Sequence, residues 1–302
     1  EQSRATRVSC GGYIEISSRR KAHLTPVIAT RKSRFSTQVL ASETLSSKVG
    51  YRRSFPVPRM PTDPFIHLHL HTEYSTLDGA IRIKELMKKA ERCKMPAVAM
   101  TDHGNIFGAI DFYQAATAAG IKPIIGMEAY LTPPGVPLTE KKSDPIAVGG
   151  KKRKRNSHLT LLASTNKGYE NLMKLTSIGH LEGMYYKPRI DKETLAEHSE
   201  GLICLSGCIN GEVNQFIQNE NLEGARKSIG EFVDIFGPER FFLEVHDHGF
   251  AEQALCTKQM LEFGQEFGLG LVAANDAHFL NAADHEAHDV MICIGTGSHQ
   301  PD

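Results

Sequence analysis

The run His67-Leu68-His69-Leu70-His71-Thr72-Glu73-Tyr74-Ser75-Thr76-Leu77-Asp78-Gly79 holds the chain's densest set of chemistry-bearing side chains. As a strand it puts Phe65, His67, His69 and His71 on one face and Ile66, Leu68 and Leu70 on the other. A lone histidine is ordinarily satisfied or exposed. Several at period two, with Asp78 just downstream, read as a nest for a divalent metal. Further metal-capable residues follow at intervals: His103 in Thr101-Asp102-His103-Gly104-Asn105, then Glu128, His158, Cys208, Asp276 and His278. Imidazole and carboxylate donors with a single thiol suit Zn, Mn or Fe. The set exceeds the needs of one ion, so a cluster of ions bridged by Glu128 is the economical arrangement. Such a centre activates water near neutral pH and clamps both the attacking and leaving oxygens of a phosphate ester. That chemistry needs no side-chain nucleophile, and no GxSxG motif is present.

These residues need elements to bring them together. From Phe65 onward, short apolar runs alternate with helical patterns. Strands are expected at Phe65–His71, Ala97–Thr101, Pro123–Leu131, His158–Ala163, Gly201–Leu205, Arg240–His246 and Gly270–Ala274. Helices are expected near Ile81–Lys94, Phe107–Ala119, Gly168–His180, Gly211–Gln218, Leu222–Phe236, Ala251–Gly268 and Ala282–Ile294. Strands followed by helices imply parallel pairing through right-handed crossovers. A closed or nearly closed β/α barrel is the expected fold, with a doubly wound open sheet as the alternative. In such barrels the site is built from the carboxyl ends of the strands, and that is where most of the metal-capable residues fall. His158 is the misfit, because it begins its strand. No GxGxxG follows a strand and no GxxxxGK[ST] occurs, so a nucleotide-cradling fold lacks its fingerprint.

Composition sets the outer bounds. The chain has 302 residues, 40% hydrophobic and 23% charged, enough for one large domain or two small ones. Six scattered cysteines with no CxxC pair argue for a reducing compartment, hence a cytoplasmic location. No apolar run is long enough for a membrane span. The net charge of zero hides an asymmetry: residues 1–59 carry 12 Lys+Arg and 3 Asp+Glu, leaving 23 basic and 32 acidic residues in 60–302. An acidic body is a poor sequence-independent binder of nucleic acid unless bound cations offset it. Residues 1–59 are rich in Ser and Arg and lack a sustained period. They read as a disordered leader: upstream sequence read through in frame, a transit-like peptide, or a basic arm. Residues 132–157 form a long loop carrying the basic run Lys151–Arg155, whose ordinary explanation is a solvated charge run. Lys187 and Arg189, in Tyr185-Tyr186-Lys187-Pro188-Arg189, are candidate phosphate-binding groups on a flexible loop. His246 and His248 are possible substrate-side groups. Asp102 is either a support for the site or a helix cap. His180, His198, His285, His288 and His299 take the ordinary structural reading.

The ordered set HLHLHTEYSTLDGA, TDHGNIFG, IIGMEAYL, HLTLLA, LSGCINGE and NDAHFL resembles the PHP (polymerase and histidinol phosphatase) domain over about residues 63–302. The likeness is closest to the PHP domains that open the alpha subunits of bacterial DNA polymerase III. It implies a PHP domain over 60–302, folded as a distorted seven-stranded β/α barrel, and a trinuclear site at its C-terminal face whose ligands are His69, His71, Asp78, His103, Glu128, His158, Cys208, Asp276 and His278. Of these, His69, His71, Asp276 and His278 are the catalytic members. It further implies metal-dependent phosphodiesterase chemistry of the 3′–5′ proofreading exonuclease type in DNA replication. The implied partners are a DNA primer-template, the remaining polymerase domains and other replicase subunits. The alternatives are a catalytically silent PHP domain that braces the polymerase, and a free-standing phosphatase of the histidinol-phosphate type. No polymerase palm is recognisable in the chain, so by itself it is not expected to polymerise DNA.

Overall fold

Apolar runs too short for helices and flanked by turn residues pair into a sheet that curls into a ring. A computed structural model of the chain describes residues 65–141, 147–148, 151–152 and 156–299. The strands are β1 (Ala97–Met100), β2 (Lys122–Leu131), β3 (Ala147–Val148), β4 (Lys151–Lys152), β5 (Ser157–Ala163), β6 (Met184–Tyr185), β7 (Lys187–Ile190), β8 (Leu202–Leu205), β9 (Phe241–Val245) and β10 (Leu271–Ala273). The main path runs β10-β9-β8-β5-β2-β7-β6, with β1 on the first part of β2. The expected leader, 1–59, lies outside the described residues. So do residues 153–155 of the basic run, whose first two lysines form β4.

Two expectations about the strands are corrected. The stretch 65–71 is not a regular strand, but it occupies a strand's place. Ala99 N donates to His67 O and Thr101 N to Leu70 O on one side, both at 2.8 Å. On the other side His71 N donates to Ala277 O at 2.8 Å. Isolated hydrogen bonds to both neighbours stand in for a ladder, and through them the segment closes the ring. The closure makes the sheet a barrel rather than an open doubly wound layer.

The second correction concerns direction. β5 is antiparallel to both neighbours, pairing Tyr130 with His158 on β2 and Thr160 with Leu205 on β8. Parallel pairing needs a crossover, usually a helix. Between β2 and β5 the described residues contain only the two-residue strands β3 and β4. The chain therefore turns back instead of crossing over. This removes the difficulty with His158: the start of an antiparallel strand lies at the same rim as the ends of the parallel ones.

The helices are α1 (Ile83–Arg92), α2 (Ala109–Ala118), α3 (Asn166–Leu181), α4 (Lys192–Glu197), α5 (Glu212–Gln218), α6 (Leu222–Phe236), α7 (Ala251–Phe267) and α8 (His285–Thr296). Their starts carry local signals. Thr165, Asp191 and Asn221 each accept a backbone N–H of the first turn of α3, α4 and α6. Two apolar clusters hold the layers together. One packs α1 and α2 on the early strands through Leu86, Met87, Phe112 and Ala116. The other packs α3 and α5–α7 on the later strands through Leu172, Phe216, Phe232 and Phe263. Each such buried side chain contributes about 1.5–3 kcal/mol. Among the described residues no helix is long and apolar enough to cross a membrane.

The stretch 185–189, expected as a flexible loop, belongs to the β6–β7 hairpin, and α4 follows it. Arg189 on β7 is fully buried, and its guanidinium donates to the carbonyls of Gly183, Leu138 and Glu140. It ties the loop after β2 to the hairpin and offers no face to a phosphate, which corrects its expected role.

Candidate metal centre

The ring closure fixes the backbone of the two leading histidines. His69 and His71 are fully buried, and their Nε2 atoms face each other at 3.2 Å. Each ring's other nitrogen is engaged. His69 Nδ1 lies 2.6 Å from Glu244 Oε1. His71 Nδ1 lies 3.0 Å from Ser75 Oγ. Ser75 gives its only hydroxyl proton to Asp102 Oδ1 at 2.8 Å, so it must accept from His71. That network assigns the proton to Nδ1 of His71 and turns its Nε2 inward. Asp102 also accepts from the Thr72 N–H and hydroxyl at 2.6 and 2.7 Å, which fixes the whole 72–75 turn.

Around this pair the other strand ends converge. Glu128, on β2, is 1% exposed. Its carboxylate lies 3.3 Å from His69 Nε2, 3.9 Å from His71 Nε2, 2.5 Å from His103 Nδ1 and 2.8 Å from His158 Nδ1. Cys208 Sγ sits 3.6 Å from Glu128 Oε1 and 3.7 Å from His158 Nδ1. Asp276 Oδ1 approaches His69 Nε2 at 3.3 Å, His71 Nε2 at 3.1 Å and His278 Nδ1 at 3.5 Å. Asp78 Oδ2 meets His103 Nε2 at 3.0 Å. His278 stacks on His71 with ring centroids 4.2 Å apart. Two backbone features permit this closeness. Asp276 adopts a positive φ of 46°, a conformation Asp tolerates. Gly104 has φ +63°, and a Cβ there would lie 2.6 Å from Pro188 Cγ.

The electrostatics of so many buried donors are set by each other. Burial acts to raise the acids, but the neighbouring histidines outweigh it. Glu128 is held well below the usual carboxylate range by His158 and His103, and Asp276 by His69 and His71. Burial acts to lower His103, yet Glu128 and Asp78 bring it up to about 10. His69 is likewise raised by Asp276 and Glu244 against its burial. His71 goes the other way, down to about 3, through burial and the adjacent His103. Burial pushes the Cys208 thiol well up, so it needs a cation to become a thiolate. In the protein alone, protons stand where positive charge is required.

The donor set fits divalent ions. Glu128 Oε2 and Asp276 Oδ1 are buried and face imidazole nitrogens without a well-aligned hydrogen bond, and Asp78 Oδ1 is buried with none; buried polar atoms are rarely left so. Three groups have ligand atoms close enough to share an ion: His71, His103 and His278; His69, His71 and Glu128; and His103, Glu128 and His158. A fourth, His69, Glu244 and His246, lies behind them.

Comparison with known proteins bears on what this arrangement is. The family model of the PHP domain matches residues 67–248, more than half of the chain. The chain belongs to the PHP domain family. The DNA polymerase III subunit alpha of Borreliella burgdorferi is 47% identical over 238 residues, covering 79% of this chain and 20% of that protein. That of Thermus aquaticus is 46% identical over 239 residues, covering 76% and 18%. The chain thus spans about a fifth of the length of these relatives. A solved two-domain Bacteroides vulgatus protein, containing a predicted PHP-like metal-dependent phosphoesterase, aligns with a TM-score of 0.44 at 14% identity over 70% of this chain and 51% of that one.

Within this PHP fold all nine expected ligand residues fall into one connected cluster through the contacts above. Asp276 and His278 join it although they lie beyond the matched stretch. His67 takes no part in it; its ring lies against Phe65, and burial lowers it to about 4. Lys187 stands over the Tyr130 ring at 5.3 Å, and that ring stacks on His103. His246 touches the cluster's back through Glu244 at 2.8 Å. His288, read from sequence as structural, donates from Nε2 to Asp78 O at 2.8 Å and braces that loop. Sequence reading missed Ser75, behind His71, and Glu244, behind His69. For Glu244, a charged residue inside the apolar strand Phe241–Val245 was the available signal.

Proposed function

We propose that this chain is the PHP portion of a DNA polymerase III alpha subunit and that its centre hydrolyses phosphate esters, in the manner of a 3′–5′ proofreading exonuclease. The observation that carries the reading is the convergence of nine donors on one buried cluster, joined side chain to side chain around Glu128, His71 and Asp276. About three ions, at roughly three protein donors each, match the set. Zn, Mn and Fe all suit it. Bound divalent ions supply Lewis acidity and an activated water near neutral pH.

The chain's own residues do the rest. His69, His71, Glu128 and Asp276 form the inner wall, with Glu128 placed to bridge. His103 and Asp78 hold one side, His158 and Cys208 another, and His278 closes the stack on His71. Lys187 is the phosphate-binding cation of this reading, supported by its place over Tyr130, whose ring stacks on His103. Of the nine, His69, His71, Asp276 and His278 are assigned the catalytic part, which the mutual approach of His71, Asp276 and His278 supports. The substrate is the 3′ end of a DNA primer-template, and the partners are the polymerase's other domains and replicase subunits. The similarity to alpha subunits, at 47% and 46% identity, favours this over a free-standing histidinol-phosphatase-type enzyme.

The test is nucleotide release from a 3′-mismatched primer by protein loaded in turn with Zn, Mn and Fe. Release that stops on chelation and in His71→Ala supports the activity. No release with any of the three ions, from protein shown to contain them, leaves a metal-bound brace for the polymerase as the better reading.

A further inference from the structure

We infer that Glu244 is a positioning residue: it holds His69 in the one tautomer that can bind a metal ion, and so sets the affinity of the centre. This rests on the metal-centre reading above, though not on any hydrolytic activity.

Glu244 is fully enclosed on β9, and its carboxylate is held from three sides. Oε1 lies 2.6 Å from His69 Nδ1 and 2.8 Å from His246 Nε2. Oε2 accepts from Thr160 Oγ1 at 3.1 Å, and its own N–H donates to Ser206 Oγ at 2.9 Å. An ionised carboxylate only accepts, so both imidazoles must donate to it. The proton of His69 therefore sits on Nδ1. Nε2 is then the nitrogen that can offer a lone pair to an ion, and it faces His71, Glu128 and Asp276 at 3.2–3.3 Å. A carboxylate behind a ligating histidine fixes the ring and makes it a stronger donor. Loss of such a partner typically weakens metal binding about 10–100-fold. His71 has only a hydroxyl behind it, Ser75 Oγ at 3.0 Å. The two histidines of the pair are thus unequally supported, and His69 carries the charge-assisted bond.

Glu244 also belongs to a compact trio with His69 and His246, so the rival role is that of a ligand. The experiment separates the two. The full chain, stripped by chelation, is titrated with Co²⁺ buffered at known free concentrations. Metal content and the visible Co²⁺ spectrum are recorded for wild type, Glu244→Gln and His246→Gln. The inference expects Glu244→Gln to keep the full number of ions at saturation, to need about 10-fold more free metal for half-saturation, and to show a shifted spectrum. His246→Gln, which leaves the His69–Glu244 bond in place, is expected to stay within about two-fold of wild type. Half-saturation and spectrum unchanged in Glu244→Gln overturn the inference. Loss of one ion in both variants also overturns it, because Glu244 would then be a ligand. If Glu244→Gln does not fold, ¹⁵N spectra of the zinc-loaded wild type decide: His69 protonated at Nδ1 supports it, and protonation at Nε2 overturns it. A wild type that takes up no metal defeats the metal-centre reading itself.

Discussion

Glu128 touches five of the other eight donors: His69, His71, His103, His158 and Cys208. Glu128→Gln preserves its shape and removes its charge. The expected result is a folded protein whose metal affinity falls by more than the ~10–100-fold typical of an outer partner, read by metal titration. Unchanged affinity would deny it a ligand's role. Acidity gives a second prediction. His103, raised to about 10, holds a proton at neutral pH in the metal-free protein, and His69 is raised as well. An incoming ion must displace those protons, so acid favours the metal-free form and affinity rises as pH rises from 6 to 8. Proton release on metal addition, measured in weak buffer, checks the sign. At this scale the sequence was readable where donors recur at strand ends. It was not readable for Arg189, because nothing in its local pattern shows that three carbonyls enclose it. Glu244 and Ser75 escaped because their roles depend on partners 175 and 4 residues away that only the fold selects.

At the scale of elements, the strand ends deliver donors only if tight turns let them approach. Gly104 is such a turn, with φ +63° and no room for a Cβ against Pro188. Gly104→Ala is expected to lower stability by about 1–2 kcal/mol from the left-handed backbone alone, with more from the clash. Chemical denaturation of the metal-free protein checks this, and an unchanged midpoint would contradict it. The cap at Thr165 gives a milder case: Thr165→Ala should cost about 1 kcal/mol. The order of strands and helices was legible from apolar periodicity. The direction of β5 was not, because periodicity carries no sense of direction. The long Pro/Gly loop read at 132–157, where a parallel pairing would call for a helical pattern, was the overlooked clue, and His158, stranded at the wrong end of a supposed parallel strand, was its symptom.

Across the whole molecule the charge balance and the centre belong together. Residues 60–302 carry 32 acidic and 23 basic residues, a poor match for a phosphate backbone. Divalent ions bound at the centre would reverse that locally. Primer binding, followed by fluorescence anisotropy, should therefore be weak after chelation and strengthen on reloading; binding indifferent to metal would contradict this. The central claim is that the nine clustered donors hold a multinuclear divalent centre. Elemental analysis of the purified chain, before and after chelation and reloading with Zn, Mn or Fe, tests it most directly. About three ions per chain, lost on chelation and regained on reloading, is the predicted result. Less than about one ion per chain under all three loadings would contradict it.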